Sequence, residues 1–121
     1  MLQLRSNLEP ADNSGAKLLH IINVPARIGK IATLGDVVNC VIKKADPNGA
    51  VAEGEKVKVL IVRTKKEVGR RDGSYIRFDD NAGVVIDKQG FPKGTRIIGP
   101  IAREVKEKGY TKIASLAREV V

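Results

Sequence analysis

Lys56-Val57-Lys58-Val59-Leu60-Ile61-Val62-Arg63 decides the fold class. Lysine and valine alternate over the first four positions, the period by which a strand sends successive side chains to opposite faces. Leu60-Ile61-Val62 then runs continuously apolar. Working outward, the other apolar stretches are also short, rich in Val and Ile, and parted by Gly, Pro, Asn and Asp, a pattern of strands and tight turns. Upstream, Asp46-Pro47-Asn48-Gly49 turns the chain out of a strand expected over Asp36 to Lys44. Before it, Ala16 to Val24 is a strand reached through Asp12-Asn13-Ser14-Gly15, and Leu2 and Leu4 alternate with polar residues as a first edge. Downstream, Tyr75 to Phe78 and Gly83 to Asp87 add two strands and Arg96 to Ile98 a short last one. Many short strands with no helical period until late predict a mainly β fold, a small closed or nearly closed barrel without free edges.

After Gly99-Pro100 the period changes. Ile101, Ala102 and Val105 share a helical face, and Glu104 is placed to pair with Lys108. Gly109 is the expected stop, and Thr111 the expected cap of a second helix with Ile113, Ala114, Leu116 and Ala117 on its apolar side. Both helices, within about 101–117, are shorter than the roughly 12–15 residues an isolated helix needs, so they must pack on the barrel or on a partner. One domain over 1–121 is expected, with the barrel over about 1–100 and a basic ribbon near 63–78 inside it; no linker or repeat interrupts it.

The chain has 121 residues, 42% of them apolar, which suits one packed core and argues against disorder. Its net charge of +8 is gathered on one side of the sequence. Residues 1–55 hold six basic and six acidic side chains; residues 56–121 hold sixteen and eight. A small body charged in this way attracts polyanions. The single cysteine, Cys40, lies in an apolar strand, so no internal disulfide forms and a reducing compartment is expected. No apolar run approaches the roughly 18–20 residues of a membrane helix, and no signal or transit segment precedes the first strand. The expected location is the compartment of synthesis, with no membrane partner.

The densest positive stretch runs from Arg63 to Phe78. Asp72-Gly73 is read as a two-residue hairpin turn, with Arg70 opposite Tyr75 and Val68 opposite Arg77. The resulting ribbon would carry Arg63, Lys65, Lys66, Arg70, Arg71 and Arg77 toward phosphates, where a guanidinium can bond two oxygens at once. Such dense like charge repels itself without a polyanion, which favours RNA contact over a solvated hairpin. A second basic set, Lys93, Arg96, Arg103, Lys106, Lys108 and Lys112, is diluted by Glu104 and Glu107 and reads equally well as a solvated face. Aromatics are few (Tyr75, Phe78, Phe91 and Tyr110), which disfavours stacking of single strands and favours folded RNA held by backbone and shape.

An enzyme is hard to assemble from these residues. His20, the only histidine, sits within an apolar strand, and one His with one Cys makes no zinc cluster. Asp79-Asp80 lies in a turn, where carboxylates ordinarily bond backbone; a metal-dependent nuclease built on it is the weakest reading. Gly49 to Lys56 lacks the spacing and the hydroxyl of a phosphate-binding loop. No cofactor and no small-molecule substrate are expected.

Several blocks together resemble one family from end to end. They are Ala11-Asp12-Asn13-Ser14-Gly15-Ala16-Lys17, Gly35-Asp36-Val37-Val38, Val62-Arg63-Thr64-Lys65-Lys66, Asp72 to Val85, Gly94-Thr95-Arg96-Ile97-Ile98-Gly99-Pro100, and Lys112 to Ala117. In this order the chain is similar to the large ribosomal subunit protein fourteen family, in its bacterial and organellar form. The resemblance implies a five-stranded β-barrel with a protruding β-ribbon and a C-terminal lobe of two short helices. It also implies direct binding of large-subunit ribosomal RNA, with Lys17 joining the ribbon residues, and contact with small-subunit RNA in intersubunit bridges. Large-subunit ribosomal protein nineteen and a ribosome silencing factor are the implied protein partners, at a surface with Thr95, Arg96, Lys112 and Ser115. The implied location is the ribosome, in the cytoplasm or in an organelle. Where the family carries a compact basic run, Arg27 to Leu34 holds only two basic residues. A free-standing regulatory RNA-binding module is the competing reading, disfavoured by the scarcity of aromatics.

Overall fold

The computed structural model of the chain describes residues 2–3, 6–25 and 31–121. Leu4 of the expected first edge and positions 27–30 of the diluted basic run lie outside the described residues. Nine strands precede two helices among the described residues. They are β1 (Leu2–Gln3), β2 (Asn7–Pro10), β3 (Ala16–Asn23), β4 (Ile31–Ala32), β5 (Val37–Ala45), β6 (Lys56–Arg63), β7 (Val68–Gly69), β8 (Tyr75–Ile76) and β9 (Ala82–Ile86), then α1 (Arg103–Glu107) and α2 (Thr111–Leu116).

Five of the strands close a barrel in the order β2-β3-β5-β6-β9. Neighbours are antiparallel except for the closing pair, in which β2 and β9 run parallel with Glu9 beside Ala82 and Pro10 beside Gly83. The parallel seam is held by the amide of Glu9 on the Asn81 carbonyl at 2.9 Å and that of Ala11 on the Gly83 carbonyl at 2.8 Å. Proline between them is tolerated because alternate amides point to alternate neighbours, and the β2–β3 ladder ends at Leu8. Gly83 permits the close packing: a β-carbon there would lie 2.3 Å from a Val59 methyl.

The fold shows why β6 changes pattern halfway. Val57, Val59 and Ile61 face inward with Leu8, Leu19, Ile21, Val38, Cys40, Ile42 and Val85. Leu60 and Val62 face outward, where Ile101, Val105 and Ile113 of the C-terminal lobe cover them together with Val84 and Ala82. Lys56 and Lys58, on the same outward face, are left exposed. The lobe is tied down by the Ala102 amide on the Val62 carbonyl at 3.1 Å and by the return of the chain end, Val121 donating to the Ile101 carbonyl at 2.9 Å.

Several sequence expectations are corrected. Arg96 to Ile98 is not a strand; only Ile97 makes a bridge, to Asp12. The barrel strand β2 has no counterpart among the expected strands, because Leu8 is its one fully buried large side chain. Thr111 does not cap α2: Tyr110 holds that position, and neither helix has a side-chain cap. Glu104 pairs with Arg70 and Lys108 with Asp36, each at 2.9 Å, instead of with each other. Gly109, with φ of 99°, does end α1.

Asp12 joins the seam to the rest of the barrel. One of its carboxylate oxygens accepts from the Ser14 hydroxyl at 2.9 Å, and the other from the Val85 amide at 3.1 Å. Burial raises the pKa of this carboxyl above its ordinary value against the pull of those donors. Its titration therefore favours the fold in acid, an advantage lost as pH rises through the raised folded-state pKa. Replacing Asp12 by Ala strands the buried Val85 amide and should cost about 1–3 kcal/mol, read as a lower urea midpoint with an unchanged slope. The loss should be larger at pH 4 than at pH 7.

Candidate nucleic-acid interface

The ribbon of β7 and β8 pairs Val68 with Ile76 and Gly69 with Tyr75, one residue off the expected register. The cause is the turn. The Gly73 amide donates to the Arg70 carbonyl at 3.0 Å and the Arg70 amide to the Ser74 carbonyl at 2.8 Å, so Arg71 and Asp72 are the central residues. Gly73 follows them with φ of 88°, closing a three-residue loop instead of a two-residue one. The Asp72 carboxylate accepts from the Ser74 hydroxyl and amide, at 2.6 and 2.9 Å, and the hydroxyl first and the amide second hold its pKa below the ordinary value. The ribbon does not stand free of the body: Val68 and Ile76 pack on the barrel core, with Phe78 beside them.

The expected RNA-contacting residues separate into two groups. Arg63 is 8% exposed and turned inward. Its Nη1 donates to the carbonyls of Ile98 and Pro100 at 2.8 and 3.2 Å. Its Nε lies 3.0 Å from Asp80 Oδ1, and its Nη2 donates to Asp80 Oδ2 at 3.3 Å. Gly99 makes room for it, since a β-carbon there would fall 2.3 Å from Nη1. Arg70 is also committed, its Nη2 donating to Glu104 Oε1 at 2.9 Å, which pins the ribbon to α1. Presentation of Arg63 on the ribbon is thus corrected, and Asp80 is its carboxylate partner.

Lys65, Lys66, Arg71, Arg77 and, on β3, Lys17 are exposed and have no ion pair among the described residues. The backbone beneath the two ribbon lysines is fixed. Asn81 Oδ1 accepts the Lys65 amide at 2.8 Å, and the buried Thr64 hydroxyl donates to the Lys66 carbonyl at 3.1 Å. Tyr75 is 73% exposed, with its ring against Gly69.

The expected partner-binding residues lie in two exposed stretches. Thr95 and Arg96 are exposed, and Asn13 holds their loop: its Oδ1 accepts both amides, at 2.7 and 2.9 Å, while its Nδ2 donates to the Thr95 hydroxyl at 2.8 Å. Gly94 has no room for a β-carbon, which would lie 2.7 Å from that Oδ1. Lys112 and Ser115 are exposed on α2, the Ser115 hydroxyl donating to the Lys112 carbonyl at 2.7 Å. Their sequence neighbours Ile97, Ile113 and Ala114 belong to one apolar cluster. Asn13 and Asn81 are the positioning residues that sequence reasoning missed. Each sits in a turn-rich stretch, and its partners lie 82 and 16 residues away, where no local pattern points.

His20 and Cys40 lie on barrel strands β3 and β5. His20 Nδ1 is 2.9 Å from Asn7 Oδ1. The Cys40 thiol is buried, and burial pushes its pKa up to about 12. Among the described residues no cluster of three or more His, Cys, Asp or Glu is disposed to hold a metal ion, and no helix is long and apolar enough to cross a membrane.

The two arginine environments make opposite demands on substitution. Arg63→Met leaves Asp80 and two carbonyls without their donor and should cost about 2–3 kcal/mol, a value moderated by the partial exposure of Asp80. Arg71→Met should stay within about 0.5 kcal/mol of the parent. Urea unfolding of both variants is the measurement, and equal midpoints would contradict this division.

Comparison with known proteins agrees with this architecture over the whole length. The family model for Ribosomal protein L14p/L23e matches residues 1–121. Large ribosomal subunit protein uL14 of Petrotoga mobilis is 56% identical over 121 residues, covering 99% of each chain. That of Aquifex aeolicus is 56% identical and that of a Hydrogenobaculum species 51% identical, each over all of both chains. The chain belongs to the ribosomal protein L14p/L23e family, whose members are structural, non-enzymatic constituents of the large ribosomal subunit.

Proposed function

We propose that the chain binds large-subunit ribosomal RNA directly, through Lys65, Lys66, Arg71 and Arg77 around the ribbon and Lys17 on the barrel, with no turnover. The observation that carries this reading is a set of cations with no ion pair among the described residues, rooted in an immobilised backbone. Thr64 and Asn81 fix the strand exit beneath the lysines, and the Arg70–Glu104 pair fixes the ribbon. Charges held in this way lose little freedom on meeting a phosphate, so more of the electrostatic gain survives as affinity. Arg63 and Arg70 serve as the frame behind this surface rather than as contacts.

By the same family relationship, the surface with Thr95, Arg96, Lys112 and Ser115 is proposed to dock large-subunit protein nineteen or the silencing factor. Other faces are proposed to meet small-subunit RNA in bridges. The Asn13 clamp supports the docking role, because it presents Thr95 and Arg96 in one fixed geometry.

Changing Lys65, Lys66, Arg71 and Arg77 together to Glu should leave urea stability near the parent value while abolishing incorporation into large subunits, followed by gradient sedimentation. Normal incorporation of that variant would remove the ribbon from the RNA anchor. For the second surface, Arg96→Glu should weaken capture of a purified silencing factor by tenfold or more without changing incorporation. Undiminished capture would count against the assigned face.

A further inference from the structure

Two tight turns interlock where β3 begins and β5 ends, beside the Ala16–Ala45 pair. The turn Asp46 to Gly49 closes on itself, the Gly49 amide donating to the Asp46 carbonyl at 3.0 Å and the Asn48 amide to Asp46 Oδ1 at 3.1 Å. It then lies on Ser14 and Gly15: the Asp46 amide donates to the Gly15 carbonyl at 2.7 Å and the Ala50 amide to the Ser14 carbonyl at 2.8 Å. The two glycines meet backbone to backbone. A β-carbon on Gly49 would lie 2.7 Å from the Gly15 Cα, and one on Gly15, whose φ is 101°, 2.6 Å from the Gly49 Cα. Ser14 in turn bonds Asp12, whose carboxylate holds the Val85 amide, so the contact between the turns reaches the closure of the barrel.

This interlock is built around a reactive dipeptide. Of the six asparagines only Asn48 is followed by glycine, and residues 46–50 are exposed. With no side chain on the following residue, the backbone nitrogen of Gly49 can reach the Asn48 side-chain carbon Cγ against little steric opposition. The nitrogen gives up its proton and attacks Cγ, the bond from Cγ to the side-chain nitrogen breaks, and ammonia leaves a five-membered imide. Water then opens the ring at either carbonyl. Opening at the main-chain carbonyl of Asn48 routes the backbone through Cβ and Cγ, an isoaspartyl link one methylene longer. The net change is one water taken up and one ammonia released, with no oxidant or cofactor. The folded chain opposes the first step, because the Asp46 carbonyl holds the Gly49 amide proton and Pro47 fixes the torsion at the second position of the turn. Ring closure also needs rotation about Asn48, which would lift Gly49 from Gly15.

We propose that Asn48 is a site of spontaneous deamidation, kept closed by this interlock in the folded chain and converted irreversibly when the turn opens. The longer isoaspartyl backbone does not fit again, because it shifts Gly49 against Gly15, where neither residue has room for a β-carbon. That shift takes the Ala50 amide from the Ser14 carbonyl. Deamidation at Asn48 thus marks chains that have spent time with this part of the barrel open, and it leaves them less able to close. The inference is independent of the RNA-binding reading, since none of these residues belongs to either proposed surface.

The test compares the full chain folded and unfolded in guanidinium chloride at mildly alkaline pH, with a synthetic peptide of residues 45–56 setting the rate of an open chain. Tryptic mapping follows amide-to-acid conversion in that segment, which is released by cutting after Lys44 and Lys56. Mapping by segment also keeps it apart from Asp72-Gly73, which can form the same imide. Conversion at Asn48 should be at least tenfold slower in the folded chain than in the unfolded one, as befits chemistry that needs local opening. Equal rates overturn the protection, and an unfolded chain that converts at its other asparagines as fast as at Asn48 overturns the site. For the consequence, the converted chain is refolded and exchanged into deuterium oxide, and the isoaspartyl and aspartyl forms of the segment are separated by chromatography after peptic digestion. The amides of Asp46 and Ala50 should exchange at least tenfold faster in the isoaspartyl form alone. Equal protection in the two forms overturns the claim that the turn does not re-form.

Discussion

Closure of the barrel depends on a strand that has little hydrophobic reason to be there. Residues Asn7–Pro10 bury one large side chain, Leu8, so their position is set by hydrogen bonds: two backbone bonds to β9 and the antiparallel ladder to β3. Asp12 extends that control by bonding the Val85 amide from a buried carboxylate. Left unpaired, the β9 edge would offer a free row of amides and carbonyls, and the interior valines and isoleucines would face water. Gly83 belongs to the same device, since a β-carbon at that position would collide with Val59. The remaining elements are built outward from this closed wall.

The closed wall then sorts chemically identical side chains into different roles. Arg63 leaves β6 at the point where the loop through Ile98 and Pro100 crosses, and it meets two carbonyls and a carboxylate there. A guanidinium suits this place because its flat fork satisfies several acceptors at once. Arg71 and Arg77, a few residues on, make no ion pair with the described residues. A count of basic residues therefore overstates the charge available to a partner, and burial with pairing is what divides structural cations from available ones. The same sorting applies to carboxylates: Asp80, Glu104 and Asp36 each neutralise a cation that holds two elements together.

How much of this is legible in the sequence depends on whether the signal is local. Strands β3, β5, β6 and β9 can be placed to within about two residues, because alternation and apolar runs are properties of neighbouring positions. Both helices are legible in the same way, along with the end of α1 at Gly109. Strand β2 is invisible, since Asn-Leu-Glu-Pro has no period and its place comes from partners far along the chain. The ribbon register differs by one because Asp-Gly is compatible with two loop lengths, and the Asp72–Ser74 bonds favour the longer. Of the site, exposed Lys17, Lys65, Lys66, Arg71 and Arg77 can be read from charge and resemblance. The inward turn of Arg63 and the clamps made by Asn13 and Asn81 cannot, because each rests on contacts that only the folded chain creates.

Strand β6 shows how one short sequence divides a surface. Its inward residues Val57, Val59 and Ile61 are apolar, so the barrel core is continuous along this part of it. Its outward residues change from Lys56 and Lys58 to Leu60 and Val62, and the C-terminal lobe settles only over the apolar half. Helices of five and six residues have no stability of their own, so their location is dictated by where that apolar half lies. The switch in outward residues thus sets both the seat of the lobe and the boundary of the bare lysines. Because both follow from side-chain alternation on a single strand, the seat of the lobe and the row of exposed lysines cannot shift relative to each other without unzipping the barrel.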